Sequence, residues 1–283
     1  MMNLKSDESS VVDKRMLEYG LMKPYADIFC FSTKRYGGYS EGNYSSFNCN
    51  GYCGDNPVHV RKNREMLCGL MPERPVRLVI PHQTHQTEVR KIDRYFLDLP
   101  ADKQEEMLEG VDALVTDLPG YCLCVSTADC VPVLCYDMCH KVVAAIHAGW
   151  RGTVSRIVGK TLKVMEEEYG TCGKNVVACI GPSISLQAFE VGDEVYDRFA
   201  EADFDMSFIA RKWGKWHIDL WEANRLQLLD FGIDPRQIEV AGICTWKHSD
   251  EFFSARRQGI ASGRILSGIM LLHLDRDVAS KYE

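Results

Sequence analysis

Four apolar runs follow one another between residues 113 and 148: Ala113–Thr116, Tyr121–Ser126, Val131–Tyr136 and Val142–Ile146, separated by gaps of only four or five residues. A strand that pairs in parallel with its predecessor needs a crossover of about a dozen residues, usually a helix, so these gaps point away from a regular doubly wound parallel sheet. The expected fold class is α+β, with mixed β-sheets flanked by helices in a single domain. Further strands are expected at Asp27–Thr33, Val76–Ile80, Val176–Ile180 and Ile265–Leu274. The clearest helical spacing has Val154, Ile157, Val158, Thr161, Leu162 and Met165 on one face, with Gly170 as its stop. Other helices are expected from Asp193 and from Asp219, an N-cap type, to Phe231, and a polar helix or loop over Leu99–Gly110. No linker or repeat divides the chain, so residues 1–24 are expected to be a loosely ordered lead-in and residues 25–283 one folded unit.

Composition excludes several classes of function. The chain carries 33 Lys+Arg against 40 Asp+Glu, a formal charge of −7, without a basic run, which argues against a nucleic-acid partner. Its first ten residues are too polar for a secretory signal, and no apolar stretch reaches the roughly 18 residues of a membrane span. A cytoplasmic protein with no membrane partner is expected. Its twelve cysteines are then expected to stay reduced, as buried apolar residues or metal ligands.

Polar residues of ligand or nucleophile type interrupt the apolar runs at three strand ends: His85, Cys130 in Ala128–Asp129–Cys130, and His147 in His147–Ala148–Gly149–Trp150–Arg151–Gly152. Two imidazoles and a thiolate form a set that suits Zn²⁺ and leaves one tetrahedral position open, as a catalytic site requires. Each residue alone also fits an ordinary role, since a lone histidine is commonly a core or surface residue and a lone cysteine a small hydrophobe. His82, three residues before His85, competes as a ligand. Cys122, Cys124, Cys135 and Cys139 lie in apolar stretches and read as core. The glycines of His147–Gly152 let backbone approach a ligand, and Arg151 offers a forked donor, so this loop suits a phosphate; a plain strand-to-helix turn fits it as well. Gly159–Lys160–Thr161 has the ending of a phosphate-binding loop, but Val154 stands where that motif needs glycine.

Taken together, several strings are similar to one family: Gln83–Thr84–His85, Asp112–Ala113–Leu114–Val115–Thr116–Asp117, Thr127 through Leu134 (TADCVPVL), His147 through Thr153 (HAGWRGT) and Ile180–Gly181–Pro182–Ser183–Ile184. The chain resembles the multicopper polyphenol oxidoreductase (laccase-like) family, also described as zinc-dependent purine nucleoside phosphorylases with adenosine deaminase activity. The likeness runs from Phe31–Ser32–Thr33 and Gly37–Gly38 to Phe253–Ser254 and Gly263–Arg264. It implies metal ligation by His85, Cys130 and His147, by zinc with copper as the alternative, and leaves His82 without a counterpart. Thr84 and Gln86 replace the family's usual valine and glycine. One extra residue in STKRYGG leaves Lys34 or Arg35 in the place of the family's arginine near the substrate.

The implied activity is phosphorolysis of adenosine, inosine, guanosine and methylthioadenosine, with hydrolytic deamination of adenosine, by a monomer or homodimer. Arg35 and Arg151 would then bind substrate, and Asp129 would act beside Cys130 as an acid/base or supporting residue. Three other readings use the same residues. A copper-dependent polyphenol oxidase needs many imidazoles, and the chain has eight histidines with no His-x-His pair. A metal-free cysteine hydrolase would use Cys130 as nucleophile with His147 or His85 as base. A zinc-stabilised binding module would need a fourth protein ligand, for instance His82 or Cys124.

Overall fold

Every side chain of Val131–Tyr136 is apolar, and a strand can bury such a run only when both faces of its sheet are covered. The computed structural model, which describes residues 13–273, arranges the chain so that they are. Its strands are β1 (Met16–Glu18), β2 (Ile28–Thr33), β3 (Arg77–Val79), β4 (Glu88–Lys91), β5 (Val111–Thr116), β6 (Tyr121–Thr127), β7 (Val131–Asp137), β8 (Val142–Ala148), β9 (Val176–Ile180), β10 (Glu190–Val191), β11 (Ala210–Trp213), β12 (Lys215–Ile218), β13 (Ile238–Val240) and β14 (Ile265–Leu271). The helices are α1 (Pro57–Leu70), α2 (Arg94–Asp98), α3 (Ala101–Met107), α4 (Trp150–Val154), α5 (Ile157–Tyr169), α6 (Asp193–Glu201), α7 (Met206–Ile209), α8 (Leu220–Asp230) and α9 (Ala255–Gln258).

Two large open sheets form, one ordered β1-β2-β14-β6-β3 and the other β13-β9-β7-β8-β5-β4, with a small β10-β12-β11 sheet beside them. Pairing is mixed: β3 with β6, β4 with β5 and β9 with β13 are parallel, whereas β5 with β8 and β7 with β8 and β9 are antiparallel. Alternation along each strand builds the layers. Leu134, Tyr136, Val143, Ala145, Val177 and Cys179 face Leu123, Val125, Ile269 and Leu271 of the other sheet. Their neighbours Val133, Cys135, Ala144, Ile146 and Ala178 pack outward under Leu162 and Met165 of α5 and Leu228 of α8. On the far side, Cys122, Cys124 and Met270 pack with Leu67 of α1. The molecule is therefore a single α+β domain with two sheets face to face and helices outside them.

Several expectations are corrected. Met16–Glu18, in the segment expected to be loose, pairs with β2 as an edge strand, and Tyr19 is buried, its hydroxyl 2.6 Å from Ser32 Oγ; the rest of that expectation, residues 1–12, lies outside the described residues. The helix expected through Val154 is broken: Arg156 takes a left-handed conformation (φ 60°) between α4 and α5, its guanidinium bonded to the Ala202 carbonyl and lying 3.6 Å from the Phe204 ring. Gly170 does end α5, in the left-handed region (φ 73°), with its N–H on Glu166 and that of Thr171 on Met165. Cys139 is exposed rather than core, while Cys122, Cys124 and Cys135 are buried, and all twelve cysteines are unpaired. Helix α1 was not expected at all. No helix among the described residues is long and apolar enough to cross a membrane.

The route of the chain between the two large sheets positions the candidate residues. The β3–β4 and β6–β7 connections both carry the chain from the five-stranded to the six-stranded sheet. His85 lies on the first of these connections and Cys130 on the second, and His147 stands near the end of β8.

Candidate metal centre

Asp112 has no exposed surface although it sits in an apolar strand, and an ionised carboxylate there must be fully hydrogen-bonded. The β5–β8 register, Ala113 opposite Ile146, puts it beside His147, whose Nδ1–H donates to Asp112 Oδ1 at 2.7 Å. Backbone N–H groups of Thr84, His85 and Gln86 donate to the same carboxylate at 3.3, 3.0 and 2.7 Å. Burial works against ionisation of Asp112, but the His147 bond, its charge and the backbone donors hold the carboxyl below its ordinary range. With Nδ1 committed, His147 is left with Nε2 as its free ligand atom.

The same three backbone bonds fold the His85 loop. His85 adopts φ 63°, a left-handed conformation uncommon for a side chain other than glycine or asparagine, and Asp112 holds it there. Gln83 ties this loop to the β6–β7 crossing: its amide nitrogen donates to the Ser126 carbonyl (3.0 Å), and Ser126 N–H donates to its amide oxygen (2.7 Å). In that crossing Asp129 is also left-handed (φ 86°), its carboxylate accepting from the Thr245 hydroxyl and the Arg256 N–H, both at 2.7 Å. Asp129 thus fixes the turn that presents Cys130.

His85, Cys130 and His147 converge, with one potential ligand atom from each lying within 4.8 Å of the others. The two imidazoles meet edge to face, with centroids 4.9 Å apart. Tetrahedral zinc with bonds of about 2.0–2.3 Å needs donors roughly 3.3–3.8 Å apart, and the three candidate donor atoms lie within 4.8 Å of one another. Gly149 makes the space: a Cβ there would stand 3.1 Å from Cys130 Sγ and 3.1 Å from His85 Cδ2. Burial alone would push the Cys130 thiol up, but the charge of His147 and hydrogen bonds from both histidines bring it down to about 6. Against the same burial, Cys130 and Asp112 raise His147 to about 9. Each partner's charge thus favours the charged form of the other, and a metal would take the place of the imidazole proton. The residues present therefore fit a borderline-soft divalent metal.

A cavity of about 640 Å³ opens over these three side chains. Its lining includes Tyr52, half exposed and stacked on His82 with centroids 4.6 Å apart; Glu109 fixes the His82 ring through a 2.7 Å bond to Nδ1. His82 is thus a wall residue beside the centre, outside the cluster of three. Ser126 and Thr127, both buried, also belong to the lining, although their hydroxyls are themselves covered and have no protein partner. Arg35 does not line it. Its guanidinium donates to the Ser45 and Ser249 carbonyls and lies 5.0 Å from the Phe253 ring, while neighbouring Lys34 pairs with Glu251. Arg151 lies over Trp150 and lines a separate cavity. Asp112 and Tyr52 were not singled out from the sequence; a charged residue inside the apolar run 111–115 was the signal for the first, and the second had none.

Comparison with known proteins identifies the family of the chain. The sequence profile of the family described as multi-copper polyphenol oxidoreductase laccase matches residues 29–272. The chain belongs to this family. A purine nucleoside phosphorylase of Bacteroides thetaiotaomicron is 58% identical over 262 residues, 92% of this chain and 97% of the relative. The adenosine deaminase RL5, from an unknown prokaryotic organism, is 42% identical over 87% of this chain and 95% of its own length. The crystal structure of the Bacillus licheniformis hypothetical protein YfiH superposes with a TM-score of 0.83 at 30% identity, covering 92% of this chain and 97% of that one.

Proposed function

We propose that the chain is a zinc-dependent purine nucleoside phosphorylase that also deaminates adenosine, acting on adenosine, inosine, guanosine and methylthioadenosine. The observation that carries this reading is the His85–Cys130–His147 cluster on one wall of a nucleoside-sized cavity. Relatives named purine nucleoside phosphorylase and adenosine deaminase support the substrate class.

One sulfur and two nitrogen donors with an open fourth position suit catalytic zinc, which supplies a Lewis acid able to lower the pKa of water from about 15.7 to near 7. Asp112 keeps His147 in the ligating tautomer and the His85 loop in place. Asp129 positions Cys130 through Thr245 and Arg256 rather than handling protons. The Tyr52–His82 stack offers a flat apolar face to the purine, and such stacking contributes about 1–3 kcal/mol per base.

A second reading is favoured by one observation. Cys130, brought down to about 6, with His147 and Asp112 behind it, is also the arrangement of a thiol nucleophile with an oriented base. A multinuclear copper oxidase has less support, because it needs more imidazoles than the two gathered here among the described residues. Products from adenosine, resolved by mass spectrometry with and without phosphate, separate these. The proposed function predicts adenine and ribose 1-phosphate with phosphate, inosine and ammonia without it, and loss of both together with zinc in Cys130→Ala. Zinc-loaded protein that leaves adenosine unchanged contradicts it.

A further inference from the structure

A second cavity, about 630 Å³, shares two walls with the first, His85 and Trp150, and otherwise has its own lining, which includes Thr87, Arg151, Glu194 and Arg198. Arg151 follows Trp150 on α4 and its guanidinium lies 4.4 Å from the Trp150 ring, which holds it toward the shared wall. Arg198 projects from α6. Among the described residues neither guanidinium has a hydrogen bond or an ion pair, and the contact made by that of Arg151 is the one with Trp150. At the rim, Lys160 Nζ bonds Thr87 Oγ1 at 3.0 Å. Glu194 is the one carboxylate in this lining.

The arginines of the first cavity differ. Arg256 donates to the Glu190 carbonyl, and Arg264 to the Ile260, Ser262 and Gly263 carbonyls, so their forks are already engaged. Free forked donors, the groups that recognise a phosphate bidentately, lie in the second cavity. Phosphorolysis requires the phosphate oxygen to reach the anomeric carbon from the face opposite the departing purine. The second cavity adjoins the first through His85 and Trp150, so an anion held there lies on the other side of the wall that carries one of the three clustered side chains.

We propose that the centre has two mouths: the nucleoside enters through the cavity of Tyr52 and His82, and inorganic phosphate is bound by Arg151 and Arg198 in the other. This rests on the phosphorylase reading of the metal centre. In the step served, a hydrogen phosphate oxygen forms a bond to C1′ while the C1′–N9 bond breaks. The electron pair leaves with the purine, which takes up the proton that hydrogen phosphate gives up. Arg151 and Arg198 offset the phosphate charge, and Glu194 limits how tightly it is held. Deamination uses water instead of phosphate and has no need of this mouth.

The test measures KM for phosphate and for nucleoside separately in Arg198→Ala, Arg198→Lys and Glu194→Gln, alongside calorimetric titration of the same proteins with inorganic phosphate. Loss of a charge-assisted hydrogen bond should raise the phosphate KM of Arg198→Ala about ten-fold or more and lower the ratio of phosphorolysis to deamination, with partial rescue by Arg198→Lys. Glu194→Gln should lower the phosphate KM. If the wild type phosphorolyses with a phosphate KM and a phosphate affinity that these substitutions leave alone, the second mouth is wrong while the proposed function stands. If the wild type has no phosphorolysis, that function fails, and the calorimetric comparison still decides whether phosphate binds at these arginines.

Discussion

A carboxylate with no exposed surface needs donors on all sides, and Asp112 has four: one imidazole and three backbone N–H groups from the loop that carries His85. One side chain therefore sets the tautomer of one ligand and the backbone of another. Asp112→Asn keeps the volume but replaces an anion, which accepts from all four, with an amide that brings two donors of its own. Partners of this kind typically contribute 10–100-fold to metal affinity, and we expect a zinc-affinity loss of about that size, measured by competition with a chelator. An unchanged affinity would mean that His147 is oriented by its strand alone. The sequence already points to His85, Cys130 and His147 as candidates, because each stands at a strand end and the strings that carry the family resemblance contain them. It does not display Asp112's role, because the pairing of β5 with β8 that brings it to His147 joins segments about thirty residues apart.

Helix α5 shows how local signals and tertiary override divide an element between them. Apolar spacing at Ile157, Val158, Leu162 and Met165 marks its buried face, and Gly170 marks its end. Gly170→Ala adds a Cβ in the left-handed region without changing any contact in the core, so it should destabilise the protein by about 1–2 kcal/mol. For a chain this long that corresponds to a fall in Tm of a few degrees, roughly 2–8 °C, by thermal unfolding. No fall would show that the cap is not held in the left-handed conformation. Residue 154 fits the same periodicity, yet belongs to α4, because Arg156 turns left-handed where its guanidinium docks on the end of α6. That docking depends on a segment some forty residues away. Helix α1 escaped notice for the opposite reason: it buries only Val60, Asn63 and Leu67, too narrow a stripe to read, although Asn56 and Pro57 form a serviceable start.

At the scale of the molecule, the short gaps between strands correctly indicate mixed pairing, but they do not say which sheet each strand joins. Tyr121–Thr127 follows Val111–Thr116 after a four-residue turn and still lies in the other sheet. Two such crossings, together with the end of β8, bring His85, Cys130 and His147 to one place, which is why ligands 45 and 17 residues apart in sequence can share a metal. We propose that these three side chains hold zinc with one position left for chemistry. X-ray absorption at the zinc edge of the purified protein tests it most directly. One sulfur at about 2.3 Å and two imidazole nitrogens at about 2.0–2.1 Å, with one further light atom, is the predicted shell. A zinc shell without sulfur, or with two or more sulfurs, would contradict it.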